Sequence, residues 1–532
     1  MVIFIPTSQK FNPSSRLQSE TPILPANQTH TVVVSPTTSY KQPHPDSPSL
    51  SLHEASTPDR PTHFVRQAQY IPVTASCLFA NITTQNLFIY LFTNLFKHMS
   101  LRSKNIRQLL HSGPMTARQL IEKIGISQPT LSRAIRELSD DIVKIGAGPS
   151  IQYALRDAFR GFRSAPIYCV TDEGQIKPLG ELIPVRPEGF VMVQADHKSF
   201  HSDGLPWWLF DMRPQGYLGR AYASTYASGL GLPANPEQWA DADVVRALLA
   251  QGHDAIGNLL IGEQARSRFL EMPEPTPVER ATAYPELARA AGAGEVPGSS
   301  AGGEQPKFCT YTERGHVLVK FTAADDNPVS ERWRDLLMAE HLALKVLDVE
   351  TDVFDIAGQR FLEIPRFDRV GKMGRIGVFS LRALDAEFVG NASASWPVLV
   401  NQLVAEKCVH SEAANSTARL WAFGMLIGNT DMHAGNLSFI SRHGRPYHLA
   451  PAYDILPMGF APRAGGAIVN TLRPASLPEV VSSDTWREAL ALAEEVLSLA
   501  NSCDGFSDRF VPCLAALQQH LDEARSRIAR LG

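Results

Sequence analysis

A polar loop at residues 428–436, set between an apolar helix and an apolar strand, constrains this chain more than any other feature. The eight residues before it, 420–427, read LWAFGMLI and predict a buried helix that stops at the loop. Asp431, His433 and Asn436 crowd the loop itself. A carboxylate can accept or orient a hydroxyl proton, and an amide oxygen a few residues later can bind Mg²⁺. The segment therefore has the side chains that phosphoryl transfer needs.

Three further elements stand in an order that fits this chemistry. The glycine-rich residues 300–308 let backbone N–H groups approach phosphate oxygens, although they form neither a Walker A nor a G-x-G-x-x-G motif. Lys320 ends an apolar strand, and a later helix carries Glu340, as in the kinase lysine–glutamate pair. Asp431 opens a D-x-x-x-x-N run, and Asp454 follows 23 residues later, where a kinase has its second metal-binding aspartate. Taken singly, these features are also typical of a flexible loop, a solvent-facing lysine and a turn-capping aspartate.

Together the motifs resemble those of the HipA-like serine/threonine kinases, the toxin components of bacterial toxin–antitoxin modules. The segment around residues 254–258 matches the family's N-terminal part more weakly. Residues 99–163, described below, look like the N-terminal module of the YjjJ-type branch. The resemblance implies an α+β, bilobal, protein-kinase-like fold. The matching motifs are Ser300-x-x-Gly303-x-Gln305-x-Lys307, Val319-Lys320, Arg366-Phe367-Asp368-Arg369, Asn429-x-Asp431-x-His433-x-x-Asn436 and Tyr453-Asp454.

The resemblance also implies a role for each matching residue, with ATP and Mg²⁺ as cofactors. Asp431 would be the catalytic base, His433 would support the loop or a phosphate, and Asn436 and Asp454 would hold Mg²⁺. Ser300 would be an inhibitory autophosphorylation site, with Ser299 as the alternative. Lys320 would contact the ATP phosphates, Phe367 the adenine and Asp368 the ribose. The full set of residues implied to bind ATP is Gly302, Gly303, Gln305, Lys307, Lys320, Phe367 and Asp368. Pro365, where an acidic residue is more usual, and Pro306 before Lys307 depart from the family pattern.

Residues 99–163 form a small basic module that carries a charge of +6, whereas the whole chain carries −4. Thr116 and Ser127 are positioned to cap two short helices, Gly125 makes the turn between them, and residues 142–155 have the pattern of a hairpin. This order predicts a winged helix-turn-helix. Five side chains of the last helix would then face DNA: Gln128, Thr130, Ser132, Arg133 and Arg136. The alternative is a module that contacts only protein.

Residues 1–98 differ from the rest of the chain. The first seventy contain 10 Pro and 18 Ser or Thr but only 9 charged residues, a composition typical of disorder. Residues 71–98 are more apolar, yet polar residues interrupt them too often to favour a membrane span. We interpret 1–98 as disordered or as a spurious extension upstream of a start at Met99. The six cysteines have no C-x-x-C spacing, which favours a reducing, cytoplasmic location over a disulfide framework.

The predicted organisation is thus an extension (1–98), a winged helix-turn-helix (99–163), a HipA N-terminal subdomain (164–290), a kinase N-lobe with its glycine loop (291–370) and a helical C-lobe (371–532). The leading hypothesis is a Ser/Thr protein kinase toxin. Its implied partners are DNA, an antitoxin and a protein substrate such as an aminoacyl-tRNA synthetase. The main alternative is a DNA-binding regulator whose kinase fold senses nucleotide or is inactive. A small-molecule kinase and a metallonuclease using Asp431 and His433 are further alternatives.

Overall fold

The computed structural model describes residues 100–157, 161–292, 305–463 and 465–531 of the 532-residue chain. The expectations for residues 1–98, and those for Ser299, Ser300, Gly302 and Gly303, lie outside the described residues. The described part mixes helices with antiparallel sheets. None of its helices combines the length and the apolar character needed to cross a membrane.

The N-terminal module contains three helices and a small sheet of strand order β1-β3-β2. Thr116 caps α2 through a capping box with Gln119, and Gly125 ends that helix in a left-handed conformation with φ of 70°. These predicted elements and the Thr116 cap are confirmed, whereas the assignment as a winged helix-turn-helix stays a prediction. The elements are α1 (Leu101–Leu110), β1 (Met115–Thr116), α2 (Ala117–Ile124), α3 (Gln128–Glu137), β2 (Ile142–Ile145) and β3 (Gln152–Leu155).

The middle of the chain forms a five-stranded antiparallel sheet of order β7-β6-β5-β4-β8, with helices packed against it. Trp207 and Trp208 are buried in the large core that this part shares with the C-terminal helices, which confirms the prediction that this aromatic cluster is core. The elements are β4 (Ala165–Val170), β5 (Ile176–Pro184), β6 (Phe190–Gln194), β7 (Ser199–Ser202), α4 (Gly216–Leu230), α5 (Asp241–Gln251), β8 (Leu259–Ile261), α6 (Gly262–Glu271) and α7 (Arg280–Gly292).

A second antiparallel sheet, of order β11-β12-β10-β9, packs against helix α8. On its α7 side, aromatic residues including Phe308, Phe321 and Phe361 form a cluster of their own with Tyr284 of α7. The sheet that contains β10 is therefore packed on both of its faces. The elements are β9 (Lys307–Thr312), β10 (Gly315–Phe321), α8 (Pro328–Val346), β11 (Asp352–Ile356) and β12 (Gln359–Pro365).

The C-terminal part is mainly helical and contains a three-stranded sheet of order β15-β16-β17. Helix α11 packs between α10 and α12, so its C-terminal end is held deep in the core. The elements are β13 (Arg369–Val370), β14 (Gly374–Arg375), β15 (Gly377–Ser380), α9 (Leu381–Phe388), α10 (Trp396–Ala405), α11 (Glu412–Leu426), β16 (Ser438–Ser441), β17 (His448–Leu449), α12 (Ser483–Asn501) and α13 (Val511–Ile528).

Candidate active site

A buried lysine joins the second sheet to two carboxylates from different parts of the chain. Lys320, on β10, donates a hydrogen bond of 2.6 Å to Oε1 of Glu340, on α8, and a second bond to Oδ1 of Asp454. The side chains of Lys320 and Glu340 are 3% and 0% exposed, and that of Asp454 is 30% exposed. The lysine–glutamate pair expected from the sequence is therefore present, with Asp454 as a third member.

The charges in this cluster keep Lys320 and Asp454 ionised. Burial acts to lower the pKa of Lys320, but the carboxylates of Asp454 and Glu340 outweigh it and raise that pKa. Burial likewise acts to raise the pKa of Asp454, and the charges of Lys320 and Lys307 overcome it, lowering that pKa to about 2. For Glu340 burial prevails over the attraction of Lys320, so its pKa is raised. Its second oxygen, Oε2, is buried without a hydrogen-bond partner among the described residues.

Asn429 connects the loop of Asp431 to the segment of Asp454. Its Nδ2 donates to the backbone oxygen of Asp454 at 3.3 Å, and its Oδ1 accepts from the backbone N–H of Asp431 at 3.0 Å. Its own N–H continues the end of α11 by donating to the oxygen of Gly424 at 2.8 Å. Because Asn429 is buried, these bonds fix the two aspartate-bearing segments relative to each other.

The exposed side of this loop carries Asp431, His433 and Asn436. Nε2 of His433 lies 3.9 Å from Oδ1 of Asp431, and both side chains are about half exposed, at 48% and 54%. Asn436 donates from Nδ2 to the backbone oxygen of Asp431 at 2.9 Å. Nε1 of the buried Trp396 donates to the backbone oxygen of His433 at 3.0 Å and so anchors the loop to the core. The geometry leaves a carboxylate and an imidazole open to solvent at the tip.

The residues expected to hold Mg²⁺ retain suitable oxygen atoms. The amide of Asn436 uses its nitrogen for the bond to Asp431, and Asp454 uses Oδ1 for the bond to Lys320. Among the described residues, no hydrogen bond occupies Oδ1 of Asn436 or Oδ2 of Asp454. A carboxylate and an amide oxygen are ligands that Mg²⁺ accepts alongside water and phosphate. The chemistry of these donors fits the ion.

Contacts of the preceding residue, Tyr453, hold the backbone of Asp454 in an uncommon conformation. Asp454 has a left-handed backbone with φ of 54°, which is uncommon outside glycine and costs conformational energy. The hydroxyl of the preceding Tyr453 is within 2.7 Å of the Ser438 hydroxyl and donates to the oxygen of Gly435 at 3.0 Å. The Tyr453 ring also packs against Phe367, with centroids 5.8 Å apart. The residue expected at the adenine thus lies beside the Asp454 segment.

Gln305 and Lys307, two residues of the predicted phosphate loop, lie at the edge of the same sheet. Nε2 of Gln305 donates to the backbone oxygen of Phe321, the residue after Lys320. Lys307 begins β9 directly opposite Lys320 on β10. The end of the glycine loop therefore enters the sheet beside the lysine–carboxylate cluster.

Asp368, which the resemblance places at the ribose, is buried among charged side chains of the chain itself. Its carboxylate accepts two bonds of 2.9 Å from Arg366, one of 2.5 Å from Arg369 and one of 3.0 Å from the N–H of Gly257. Arg369 also binds Asp254 at 2.9 Å. Both oxygens of Asp368 are thus held within a buried ion network that ties residues 254–257 to the segment after β12. The ribose contact of Asp368 stays a prediction, since Oδ1 accepts one of these bonds and keeps a second lone pair.

The residues predicted to contact DNA lie apart from this site, on helix α3. Gln128, Arg133 and Arg136 are exposed, and Thr130 and Ser132 are half-buried on the same helix. Ser127 stands at the N-cap position without bonding a backbone N–H there, because its hydroxyl pairs with that of Thr130 at 3.0 Å. The structure groups these five side chains on one accessible helix and brings none of them to the loop of Asp431.

Three residues that position the site were given no role in the sequence analysis. Asn429 and Tyr453 stand inside the quoted motifs, and their place beside each aspartate is the signal that could have found them. Trp396 lies 35 residues before Asp431, and nothing in its sequence context indicates that it anchors the loop.

Two segments of the chain match models of known protein families. Residues 162–270 match the model of the YjjJ-like toxin middle domain, and residues 299–504 match that of the HipA-like C-terminal domain. Toxin YjjJ of Escherichia coli (strain K12) is 35% identical over 442 residues, which cover 80% of this chain and 99% of that protein.

Two solved structures share weaker similarity. One is a chain of the Shewanella oneidensis MR-1 toxin–antitoxin complex of HipA, HipB and operator DNA, with a TM-score of 0.45, 15% identity, and coverage of 69% of this chain and 97% of that one. The other is the Helicobacter pylori proinflammatory kinase CtkA, with a TM-score of 0.32, 12% identity, and coverage of 42% of this chain and 94% of that one.

Proposed function

This chain belongs to the HipA-like toxin family, in its YjjJ-like branch, and from that premise we propose that it is a serine/threonine protein kinase. The observation that carries the proposal is that the segments of Asp431 and Asp454 are joined beside Lys320. Lys320, Glu340 and Asp454 form one hydrogen-bonded cluster, and Asn429 holds the Asp431 loop to it.

Each residue then has a task set by its surroundings. Asp431, open to solvent, accepts the proton of the substrate hydroxyl, and His433 beside it supports the loop or a phosphate. Lys320 binds the ATP phosphates, with Glu340 holding its ammonium group in place. Asn436 and Asp454 would hold Mg²⁺, which supplies charge neutralisation at the transferred phosphoryl group when bound. Gln305, Lys307 and Phe367, with Gly302 and Gly303, complete the nucleotide site.

Phosphorylation of the chain by itself is the most direct test. The full chain is incubated with Mg·ATP and its intact mass is measured, followed by peptide mapping. We expect added phosphate on Ser299 or Ser300, and none in Asp431→Asn. Asp454→Ala should also lose phosphate and bind Mg·ATP more weakly, because it removes a metal ligand.

Asp504→Asn is the matched control, because Asp504 is exposed and has no ion pair among the described residues. It should behave as the unaltered chain. An Asp431→Asn protein that gains phosphate as fast as the control would overturn the role of Asp431. A chain that binds ATP without transferring phosphate, to itself or to added proteins, would favour the nucleotide-sensing regulator.

The family relationship supports the rest of the proposal. The substrate would be a protein of the translation apparatus, such as an aminoacyl-tRNA synthetase, and its phosphorylation would slow growth. An antitoxin partner is expected on the same ground. These assignments can be tested by incubating the full chain with purified synthetases and labelled ATP, with Asp431→Asn as the inactive control.

A second function, DNA binding, is favoured by the exposed polar face of α3 within a module of charge +6. In this proposal Gln128, Thr130, Ser132 and Arg133 approach base edges, and Arg136 contacts a phosphate. The affinity for a mixed-sequence duplex is measured over a range of salt concentrations. Arg133→Ala and Arg136→Ala should each weaken binding, and loss of a phosphate contact should reduce the salt slope by about 1. Arg530→Ala, an exposed arginine near the C-terminus, should change nothing.

A further inference from the structure

Three metal-ligating side chains meet on the surface away from the proposed active site. They are His410, Glu412 and His448, and their nitrogen and carboxylate oxygen atoms all lie within 4.8 Å of one another. Among the described residues, this is the group of histidine, cysteine and acidic side chains that could hold a metal ion. His410 is half-buried, whereas Glu412 and His448 are exposed.

The backbone brings these side chains together. Val409 and Tyr447 form a parallel bridge, in which the N–H of His410 donates to the oxygen of Tyr447 at 3.0 Å. The N–H of Tyr447 donates back to the oxygen of Cys408 at 2.9 Å. His410 and His448 each follow one member of this bridge, so they emerge side by side. Glu412 opens α11 two residues after His410. A fixed backbone framework therefore holds the three side chains close to one another.

The ligating atoms of the group are available to an ion. No hydrogen bond among the described residues occupies a ring nitrogen of His410 or His448, or the carboxylate of Glu412. The two imidazole rings stack with centroids 3.9 Å apart and an interplanar angle of 22°. An imidazole binds a metal ion through a nitrogen lone pair in the plane of its ring, so the two rings turn about their side-chain bonds when they share an ion.

We propose that His410, Glu412 and His448 bind a divalent transition-metal ion of the Zn²⁺ class. Two imidazole nitrogens and one carboxylate oxygen suit Zn²⁺, whereas Mg²⁺ prefers oxygen ligands throughout. Ligand atoms of a tetrahedral Zn²⁺ lie roughly 3.3 Å apart. The present atoms lie within 4.8 Å of one another, so they move closer together when the ion binds. Water would complete the coordination.

The position of this site in the chain links it to the two aspartate-bearing segments. His410 and Glu412 precede and open α11, which runs to the loop of Asp431, and His448 lies six residues before Asp454. A bound ion therefore ties together the starts of the two segments that Asn429 joins at their ends. Metal binding itself does not depend on the proposed kinase activity.

Metal binding is measured by titrating the full chain with Zn²⁺ against a fluorescent chelator, in excess Mg²⁺ to occupy oxygen-rich sites. We expect one Zn²⁺ bound per chain, and at least about tenfold weaker binding in His410→Ala, Glu412→Ala and His448→Ala, because each removes a ligand. His443→Ala is the matched control, because His443 is an exposed histidine five residues from His448. It should leave the affinity unchanged.

Two further measurements distinguish metal binding at this site from misfolding of the variants and from nonspecific adsorption of the ion. Without metal, the variants should melt at the same temperature as the metal-free unaltered protein, which excludes misfolding. Zn²⁺ should raise the melting temperature only of proteins that retain all three ligands. Co²⁺ should give the visible bands of a four-coordinate site in the unaltered chain and lose them in His448→Ala. The proposal would be overturned if the unaltered chain bound no Zn²⁺, or if the three ligand variants bound it as strongly as the unaltered chain.

Discussion

Asn429 is the residue on which the geometry of the candidate site most depends. It uses both ends of its amide at once, bonding the N–H of Asp431 and the backbone oxygen of Asp454. Neither aspartate side chain supplies this connection, since Asp431 faces solvent and Asp454 faces Lys320. A buried amide with both ends engaged is costly to remove, because each partner loses its bond without gaining water.

Asn429→Ala should therefore destabilise the protein by about 2 kcal/mol. Phosphoryl transfer should fall more steeply, on the order of 100-fold, because the Asp431 loop loses its fixed position. The affinity for ATP should change little, since the Lys320–Glu340 pair is intact. Thermal melting and single-turnover kinetics check these effects. Asn391→Ala, at an exposed asparagine, serves as control, and a normal turnover rate in Asn429→Ala would contradict the positioning role.

At the scale of elements, short capping signals were predicted better than long-range contacts. Local sequence indicates a helix start at Thr116, a helix end at Gly125 and an apolar strand that leads to Lys320. These elements could therefore be predicted. The ion network of Asp368 could not, because its members, Asp254, Gly257, Arg366 and Arg369, come from two segments over a hundred residues apart in sequence. The contact between Trp396 and the Asp431 loop could not be predicted for the same reason, since the two are far apart in sequence.

Two helix starts in the N-terminal module look alike in sequence but differ in structure, and they provide an internal comparison. Thr116 accepts from the N–H of Gln119 in a complete capping box, whereas Ser127 makes no side-chain cap. Thr116→Ala should weaken α2 by about 1 kcal/mol, so its amides should exchange with solvent about fivefold faster. Ser127→Ala should leave exchange in α3 nearly unchanged. Equal effects from the two substitutions would contradict the capping assignment.

At the scale of the whole molecule, the motif-based resemblance to the HipA-like family is confirmed by the 35% identity to Toxin YjjJ. The sequence did not show how the N-terminal module is attached to the middle sheet. Val143, Ile145 and Ala154 of its hairpin form one buried cluster with Ile183, Val185 and Val191. Arg156 pairs with Val185 across this junction, and the N–H of Gly146 donates to the hydroxyl of Ser199 at 2.9 Å. The hairpin is a packed junction and not a free wing.

Truncation of Ile183, which is 2% exposed, should loosen this junction from the side of the middle sheet. Ile183→Val should cost about 1 kcal/mol and Ile183→Ala about 3 kcal/mol, because the cavity grows with each group removed. Hydrogen exchange in the hairpin of residues 142–155 should accelerate in the same order, although no hairpin residue is altered. Ile256→Ala, at an isoleucine that is 40% exposed, is the matched control and should change neither quantity there. If exchange rose only within the middle sheet, the hairpin would be stable by itself. The module would then be able to engage DNA independently of the rest of the chain, whereas a coupled response means that whatever binds α3 is held rigidly to the middle sheet.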